Sequence, residues 1–172
     1  MERWELDIFP RVLADRLLST MKSLRSKAPP RVAVAVISTA WNRWCTARRF
    51  QKRGTAANNC VLGCGGGAED SIEHYARCRC VRKFHAQDLG IPGDYLLPIW
   101  LNVDGISRTD EQKVRAAIGA YAVYNTTNAA RQEGGWADHV AIRALQQSAR
   151  EGAMGHKFAE TSLRMVWAHS RR

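Results

Sequence analysis

The chain has 172 residues, of which 45% are hydrophobic, so a wholly disordered protein is excluded. Lysine and arginine number 26 against 16 acidic residues, which gives a formal net charge of +10. No apolar run approaches the ~20 residues of a transmembrane helix, and the N-terminus lacks the basic start and apolar core of a secretory signal. We therefore expect an intracellular protein, nuclear or cytoplasmic and not secreted, without a membrane partner.

The positive charge is concentrated at the start of the chain. Residues 1–53 hold 12 basic and 4 acidic side chains. This asymmetry indicates a polyanionic partner, and nucleic acid is the expected one in an intracellular compartment. The alternative interpretation is a solvated surface that only keeps the protein soluble, as in many basic proteins.

An amphipathic helix is predicted from Asp7 to Lys27, because apolar residues recur there at three- and four-residue steps. Pro10 fits the first turn of this helix. Pro29 and Pro30 are predicted to end it and to force an extended connection. The apolar face is interpreted as part of the core, or as a contact surface for an upstream domain.

A second helix is predicted from Val32 to about Lys52. The alternation of valine and alanine at its start could also form a short strand, but the spacing of the tryptophans and arginines favours a helix. Trp41 and Trp44 are interpreted as core residues. The basic residues near them have no acid among them, and guanidinium groups suit phosphate oxygens. These predicted nucleic-acid contacts are Arg43, Arg48, Arg49, Lys52 and Arg53.

The stretch from residue 60 to residue 78 carries a metal-ligand pattern, Cys-x3-Cys-x9-His-x3-Cys, formed by Cys60, Cys64, His74 and Cys78. Three thiolates and one imidazole suit a closed tetrahedral site for one structural Zn²⁺. A short helix is predicted from residue 72 to residue 78, which would put the histidine and the last cysteine one turn apart on one face. The glycine run before it would let the first two cysteines turn toward one ion.

Two neighbouring residues leave the ligand set open, since Cys80 or His85 could replace Cys78 or His74. The other interpretation of the whole stretch is a group of reduced, buried cysteines without a metal. Disulfides are not expected, because the count of five cysteines is odd and intracellular thiols stay reduced. A second basic cluster flanks the last ligand, and Arg77 and Arg79 in it could face either the negatively charged zinc site or a phosphate backbone.

The remaining chain is predicted to be helical. A linker rich in glycine and proline but with a packed apolar patch is predicted at 89–108. Helices are predicted from Thr109 to about Gln132, closed by Gly134–Gly135, and over 136–150 and 157–170. The predicted fold is a small, mainly α protein with a zinc-binding knuckle and a C-terminal helical region. Its predicted segments are 1–28, 31–88, 89–108 and 109–172.

Residues 40–82 resemble the zinc-binding region that follows the reverse-transcriptase domain of non-LTR retrotransposons. The resemblance rests on the basic run at 44–51, the cysteine pair at 60 and 64, and the run Glu69-Asp70-Ser71-Ile72-Glu73-His74-Tyr75 with Cys78 after it. It implies a zinc-containing piece that binds RNA or DNA through backbone contacts, with an upstream reverse-transcriptase domain as a second candidate partner. It carries no polymerase chemistry, which belongs to the preceding domain.

Three functions are weighed on these observations. The first is a nucleic-acid-binding piece of a retrotransposon-like protein, and the second is a zinc-stabilised protein-interaction module without a nucleic-acid role. The third is an enzyme, for which the sequence has no paired catalytic carboxylates, phosphate loop or nucleophile elbow. Four protein ligands would also close a zinc site to substrate. We therefore expect no enzyme and no small-molecule substrate, and the concentrated charge favours nucleic-acid binding.

Overall fold

The computed structural model describes residues 10–47, 59–65 and 67–169. Within these ranges the chain forms eight helices and no β-strand, which confirms the prediction of a mainly α protein. Its only β-type pairing among these residues is an isolated antiparallel bridge between Asn59 and Glu69. None of the described helices is both long and apolar enough to cross a membrane.

The first two helices are α1 (Pro10–Arg25) and α2 (Pro30–Ala40). The helical prediction for α1 is confirmed over its described part, and residues 7–9 lie outside it. The prediction for the two prolines is only half right. Pro29 is extended, but Pro30 occupies the first turn of α2, where a fixed φ and a missing N–H are favourable. The connection is therefore short, and the second proline starts a helix.

The prediction that the second helix runs to Lys52 is wrong, because α2 ends at Ala40. Asn42 adopts a left-handed φ of 51° and donates its N–H to the Thr39 carbonyl at 3.0 Å, while the Arg43 N–H reaches the Ser38 carbonyl at 2.8 Å. This pair of bonds is a Schellman motif, which satisfies the last carbonyls of a helix and turns the chain away. Trp44 is buried as predicted, but Trp41 is exposed.

The middle of the chain forms three short helices, α3 (Ile72–Tyr75), α4 (Arg79–Asp88) and α5 (Leu97–Leu101). The predicted helix from residue 72 to residue 78 is therefore too long. After Tyr75 the N–H of Cys78 bonds three residues back to the Tyr75 carbonyl, which tightens the turn. Cys78 then adopts an extended conformation that starts α4. The apolar patch at 89–108 is buried mainly through α5.

Three longer helices complete the fold: α6 (Asp110–Gln132), α7 (Asp138–Ala153) and α8 (Lys157–His169). Helix α6 begins with a capping box, in which the Thr109 hydroxyl accepts from the Gln112 N–H and the Gln112 side chain accepts from the Thr109 N–H. It ends where the Gly135 N–H bonds to the Ala130 carbonyl. Both ends match the sequence-based prediction.

Helix α6 lies at the centre and packs against α2, α5, α7 and α8. Small residues allow this close packing. At Gly119, for example, an added Cβ would lie 2.3 Å from the imidazole of His85 on α4. The buried hydrophobic residues of the described chain form one core cluster. The metal-ligand stretch is built onto this core through α3 and α4.

Candidate metal centre and the basic surface beside it

The loop that carries Cys60 and Cys64 is closed at its base. The Cys60 N–H bonds to the Ala68 carbonyl at 2.7 Å, and the bridge between Asn59 and Glu69 lies directly outside this bond. Gly63 between the cysteines has a φ of 63°, and a Cβ there would lie 2.2 Å from the backbone oxygen of Trp136. The loop thus turns against the segment before α7, in a position that admits only glycine.

Helix α3 positions the histidine. Its N-cap residue Ser71 accepts a hydrogen bond from the His74 N–H at 3.1 Å, which fixes the start of this single turn. The ring nitrogen Nε2 of His74 then lies 3.4 Å from the Cys64 sulfur, and the Cys60 and Cys78 sulfurs are 4.0 Å apart. The four ligand atoms all lie within 4.8 Å of one another. This Cys3His group could bind a metal ion.

The spacing of the donor atoms suits a tetrahedral ion. Metal–sulfur bonds of about 2.3 Å and metal–nitrogen bonds of about 2.0 Å place tetrahedral donors roughly 3.5–3.8 Å apart. The two measured donor distances, 3.4 Å and 4.0 Å, lie on either side of that range. Small side-chain adjustments would therefore complete the coordination.

The electrostatics of the group also suit a cation. Burial raises the pKa of the Cys64 thiol to about 11, and the neighbouring Cys78 adds to this effect. The pKa of the Cys78 thiol is also raised, and the largest cause is the hydrogen bond between Cys78 and Cys60. Burial lowers the pKa of His74, against the opposing charge of Asp70, which favours the neutral form of the imidazole that binds metals. A bound cation would remove the repulsion between thiolates and release their protons.

Neither alternative ligand belongs to the group that the described residues bring together. The Cys80 sulfur contacts the Leu62 carbonyl oxygen at 3.6 Å. The imidazole of His85 is fully buried in the core and accepts a hydrogen bond at Nε2 from the Trp100 indole. Cys45 is exposed and is not part of a disulfide.

Asp70 is a residue of the site whose role sequence reasoning missed. Its side chain is almost fully buried and accepts four hydrogen bonds, from the Tyr75 hydroxyl at 2.6 Å, the Ala47 N–H at 2.8 Å, and two guanidinium nitrogens of Arg131. Arg131 lies on α6. The carboxylate therefore joins the metal-ligand stretch, the central helix and the end of the segment that follows α2.

The predicted nucleic-acid contacts fall into two groups. Arg43, Arg77 and Arg79 are exposed, whereas Arg48, Arg49, Lys52 and Arg53 lie outside the described residues. Arg77 stacks over the ring of Tyr95 with 4.0 Å between guanidinium carbon and ring centroid, and Arg79 forms an ion pair with Asp138. An open groove of about 610 Å³ runs beside Arg79 and two further basic residues of α4. These further residues are Arg82 and Lys83.

The described residues on either side of the range 48–58 both contact the metal-ligand stretch. Ala47 bonds to Asp70, and Asn59 pairs with Glu69. The range 48–58, whose sequence contains four basic residues, is therefore flanked by two described residues that contact adjacent positions of that stretch. That stretch leads within a few residues to His74.

No protein-family model, curated protein or solved structure matches this chain. The resemblance of residues 40–82 to the region of non-LTR retrotransposons therefore stays a prediction. Its implied function and upstream partner stay predictions as well.

Proposed function

We propose that this chain binds nucleic acid through a basic segment whose two ends are fixed by a structural zinc centre. It has no chemistry of its own in this proposal. The observation that carries it is the attachment of Ala47 and Asn59 to the metal-ligand stretch, at Asp70 and Glu69. Metal binding and presentation of the basic segment would then be one structural event.

Zinc is the metal that the donor set favours. Three thiolates with one imidazole are soft ligands, and in this combination they occur at structural zinc sites. Four protein ligands complete a tetrahedron and leave no open position for a substrate or an attacking water. The role of the ion would be to hold the loop from Asn59 to Glu69 against α3 and α4.

The charge pattern supports a polyanionic ligand. Between Asp15 and Glu69 the chain contains ten lysines and arginines and no acidic residue. Several of these basic side chains already have partners inside the fold, such as Lys27 with Asp110. The basic residues at 48–53 lie in the acid-free sequence between Ala47 and Asn59, the two described residues that contact Asp70 and Glu69. Phosphate contacts of this kind position a nucleic acid without reading its sequence.

The test is a triple variant, Arg48→Ala, Arg49→Ala and Lys52→Ala, measured for binding to DNA and RNA over a range of salt concentrations. If the segment neutralises about four phosphates, log affinity of the parent falls with log salt at a slope of roughly −3 to −4. The variant should keep zinc and helicity, lose most of its affinity and show a shallower slope. An unchanged slope would show that the segment is not the contact surface.

A matched control removes the same charge elsewhere. Arg143, Lys157 and Arg164 are exposed on α7 and α8, and their replacement by alanine should leave the slope nearly unchanged. Equal losses in the two triple variants would mean that only net charge matters. In that case binding would be a general property of a basic surface.

The second candidate function is a protein-interaction module, and exposed apolar side chains favour it. Leu18 on α1 and Val34 on α2 are 60% and 58% exposed. A parent protein that binds neither DNA nor RNA at low salt, while it holds its zinc, would favour this candidate over nucleic-acid binding.

The retrotransposon relationship is a separate part of the proposal. The convergence of Cys60, Cys64, His74 and Cys78 supports it, because the resemblance implies these ligands. The deciding observation is whether the DNA upstream of the Met1 codon encodes a reverse-transcriptase domain in the same frame. Its absence would remove the upstream domain as a partner and leave the nucleic-acid proposal to its own test.

A further inference from the structure

Trp41 is exposed where a tryptophan is usually buried. Its side chain is 66% exposed, the largest exposed fraction among the big hydrophobic side chains of the described residues. Trp44, three residues later, is fully buried between Tyr75 and Trp100. The core therefore uses one tryptophan of this pair and leaves the other at the surface.

The backbone beneath Trp41 is well fixed. Trp41 is the C-cap residue of α2, and its N–H bonds to the Ile37 carbonyl at 3.0 Å. The next two residues, Asn42 and Arg43, bond back to α2 through the Schellman motif. The indole is thus mounted on a rigid helix end, so binding through it would require little ordering of the backbone.

The neighbour of the indole is a cation. The guanidinium carbon of Arg43 lies 6.0 Å from the Trp41 ring centroid. Both side chains belong to the acid-free stretch between Asp15 and Glu69. From Arg43 the chain needs only four more residues to reach Ala47, which is bound to Asp70. An aromatic face, an adjacent guanidinium and the basic segment are therefore close together along the chain.

We infer that Trp41 and Arg43 form a stacking site for an unpaired nucleobase, with the indole against the base and the guanidinium on the adjoining phosphate. This inference rests on the proposed function and adds to it the class of ligand, a single-stranded nucleic acid. Aromatic side chains beside a basic groove are how proteins hold single strands, because every base has a π face. Bases inside a duplex are already stacked and cannot use this site.

The positive charge around Trp41 favours a nucleic acid over an uncharged protein surface as the ligand of this site. An apolar docking site needs only hydrophobic area, and any large aliphatic side chain would serve it. A stacking site needs a planar ring. Replacement of Trp41 by phenylalanine and by leucine separates the two, because only phenylalanine keeps an aromatic face.

The experiment measures affinity for a short single-stranded adenine homopolymer, as DNA and as RNA, and for a blunt DNA duplex of the same length. Trp41→Ala should weaken single-strand binding by roughly five- to 150-fold, the effect of losing one stacked base, and should change duplex binding little. Trp41→Phe should recover most of the loss and Trp41→Leu should not. Arg43→Ala should reduce the salt slope by about one. Leu18→Ala, at an exposed apolar residue on α1, is the control and should bind like the parent.

The outcomes separate the inference from the proposed function. A parent that binds no nucleic acid at all overturns both. If the parent binds nucleic acid, two results overturn the stacking site and leave the proposed function standing. One is that Trp41→Ala loses affinity equally for single strands and duplex, and the other is that it binds single strands as tightly as the parent. Equal recovery by leucine and phenylalanine also overturns it and indicates a protein-type apolar contact. The two single-strand arms show whether DNA or RNA supplies the base.

Discussion

Arg131 on the central helix donates two hydrogen bonds to Asp70 in the metal-ligand stretch, 61 residues away along the chain. The Nε–Oδ2 distance is 3.0 Å and the Nη2–Oδ1 distance is 2.7 Å. The Tyr75 hydroxyl and the Ala47 N–H complete the shell of the same carboxylate. This buried ion pair therefore helps to hold the metal-ligand stretch on the helical core.

Arg131→Ala tests this role. The substitution leaves the Asp70 carboxylate buried without its charge partner, which should lower the free energy of unfolding by about 3–5 kcal/mol. It should also weaken zinc binding, because Asp70 lies between the loop and Ser71, the cap of α3. Urea unfolding of the zinc-loaded protein gives the first quantity, and competition with a chromogenic chelator gives the second.

A matched control for this variant is Arg164→Ala. Arg164 pairs with Glu160 four residues earlier on α8, and its side chain is 73% exposed. Exposed pairs of this kind contribute at most about 1 kcal/mol. Equal effects of the two substitutions would contradict the role given to the buried pair.

The two ends of α6 and the metal group were predictable because their signals are local. The end of α6 needs only Gly134 and Gly135, and its start needs only Thr109 and Gln112. The ligand pattern at Cys60, Cys64, His74 and Cys78 is likewise compact in sequence. The pairing of Asp70 with Arg131 was not predictable, since both residues carry ordinary surface charges and only the packing of α6 brings them together.

The wrong end of α2 had a signal that sequence reasoning passed over. Asn42 is one of the few residues that tolerate a left-handed conformation, and it stands where the helix stops. Helical periodicity of the tryptophans outweighed it. This error changed the interpretation of Trp41, because a helix through residue 44 placed it in the core, whereas the observed turn buries only Trp44 of the two.

Zinc content is the next prediction. Purified protein should hold about one zinc per chain, and Cys78→Ser should lower zinc affinity far more than Cys80→Ser, because only the former removes a donor atom of the group. Chelation should increase hydrogen exchange between residues 59 and 82 while the other helices keep most of their protection. The reverse ranking of the two serine variants would show that the fourth ligand is wrongly assigned.

Gly63→Ala should disrupt the metal loop. A Cβ at this position would lie 2.2 Å from the Trp136 backbone oxygen, and the alanine would also have to adopt the left-handed φ of 63°. Gly65→Ala is the matched control, because its φ of 79° is also positive but a Cβ there meets nothing within 4 Å. The control should cost only about 1–2 kcal/mol for the backbone conformation, and Gly63→Ala should cost more and weaken zinc binding. Thermal unfolding with and without zinc measures both, and equal losses would mean that the contact with Trp136 is not a constraint.

The last prediction concerns His85 and acid stability. Its imidazole is fully buried, and Nε2 accepts a hydrogen bond from the Trp100 indole at 3.0 Å, so the ring is neutral with its proton on Nδ1. Burial lowers the pKa of His85 to about 3, whereas an unfolded histidine has a pKa of about 6.5. The unfolded chain therefore binds the proton more readily. The contribution of the neutral histidine to stability is fully present above the unfolded pKa, and it is lost as the pH falls from there toward the folded pKa.

Between pH 7 and pH 5 this single group should remove about 2 kcal/mol of stability, a figure that hardly depends on the folded pKa because the folded histidine stays neutral over that range. The metal ligands also take up protons in acid, so the measurement compares the parent with His85→Gln by urea unfolding at both pH values. Glutamine does not titrate, and its carbonyl can accept the Trp100 hydrogen bond. The contribution of the ligands cancels in this difference. The variant should be less stable at pH 7, and its deficit should shrink by about 2 kcal/mol at pH 5. A deficit that stays constant would show that the folded protein protonates His85 as easily as the unfolded chain does.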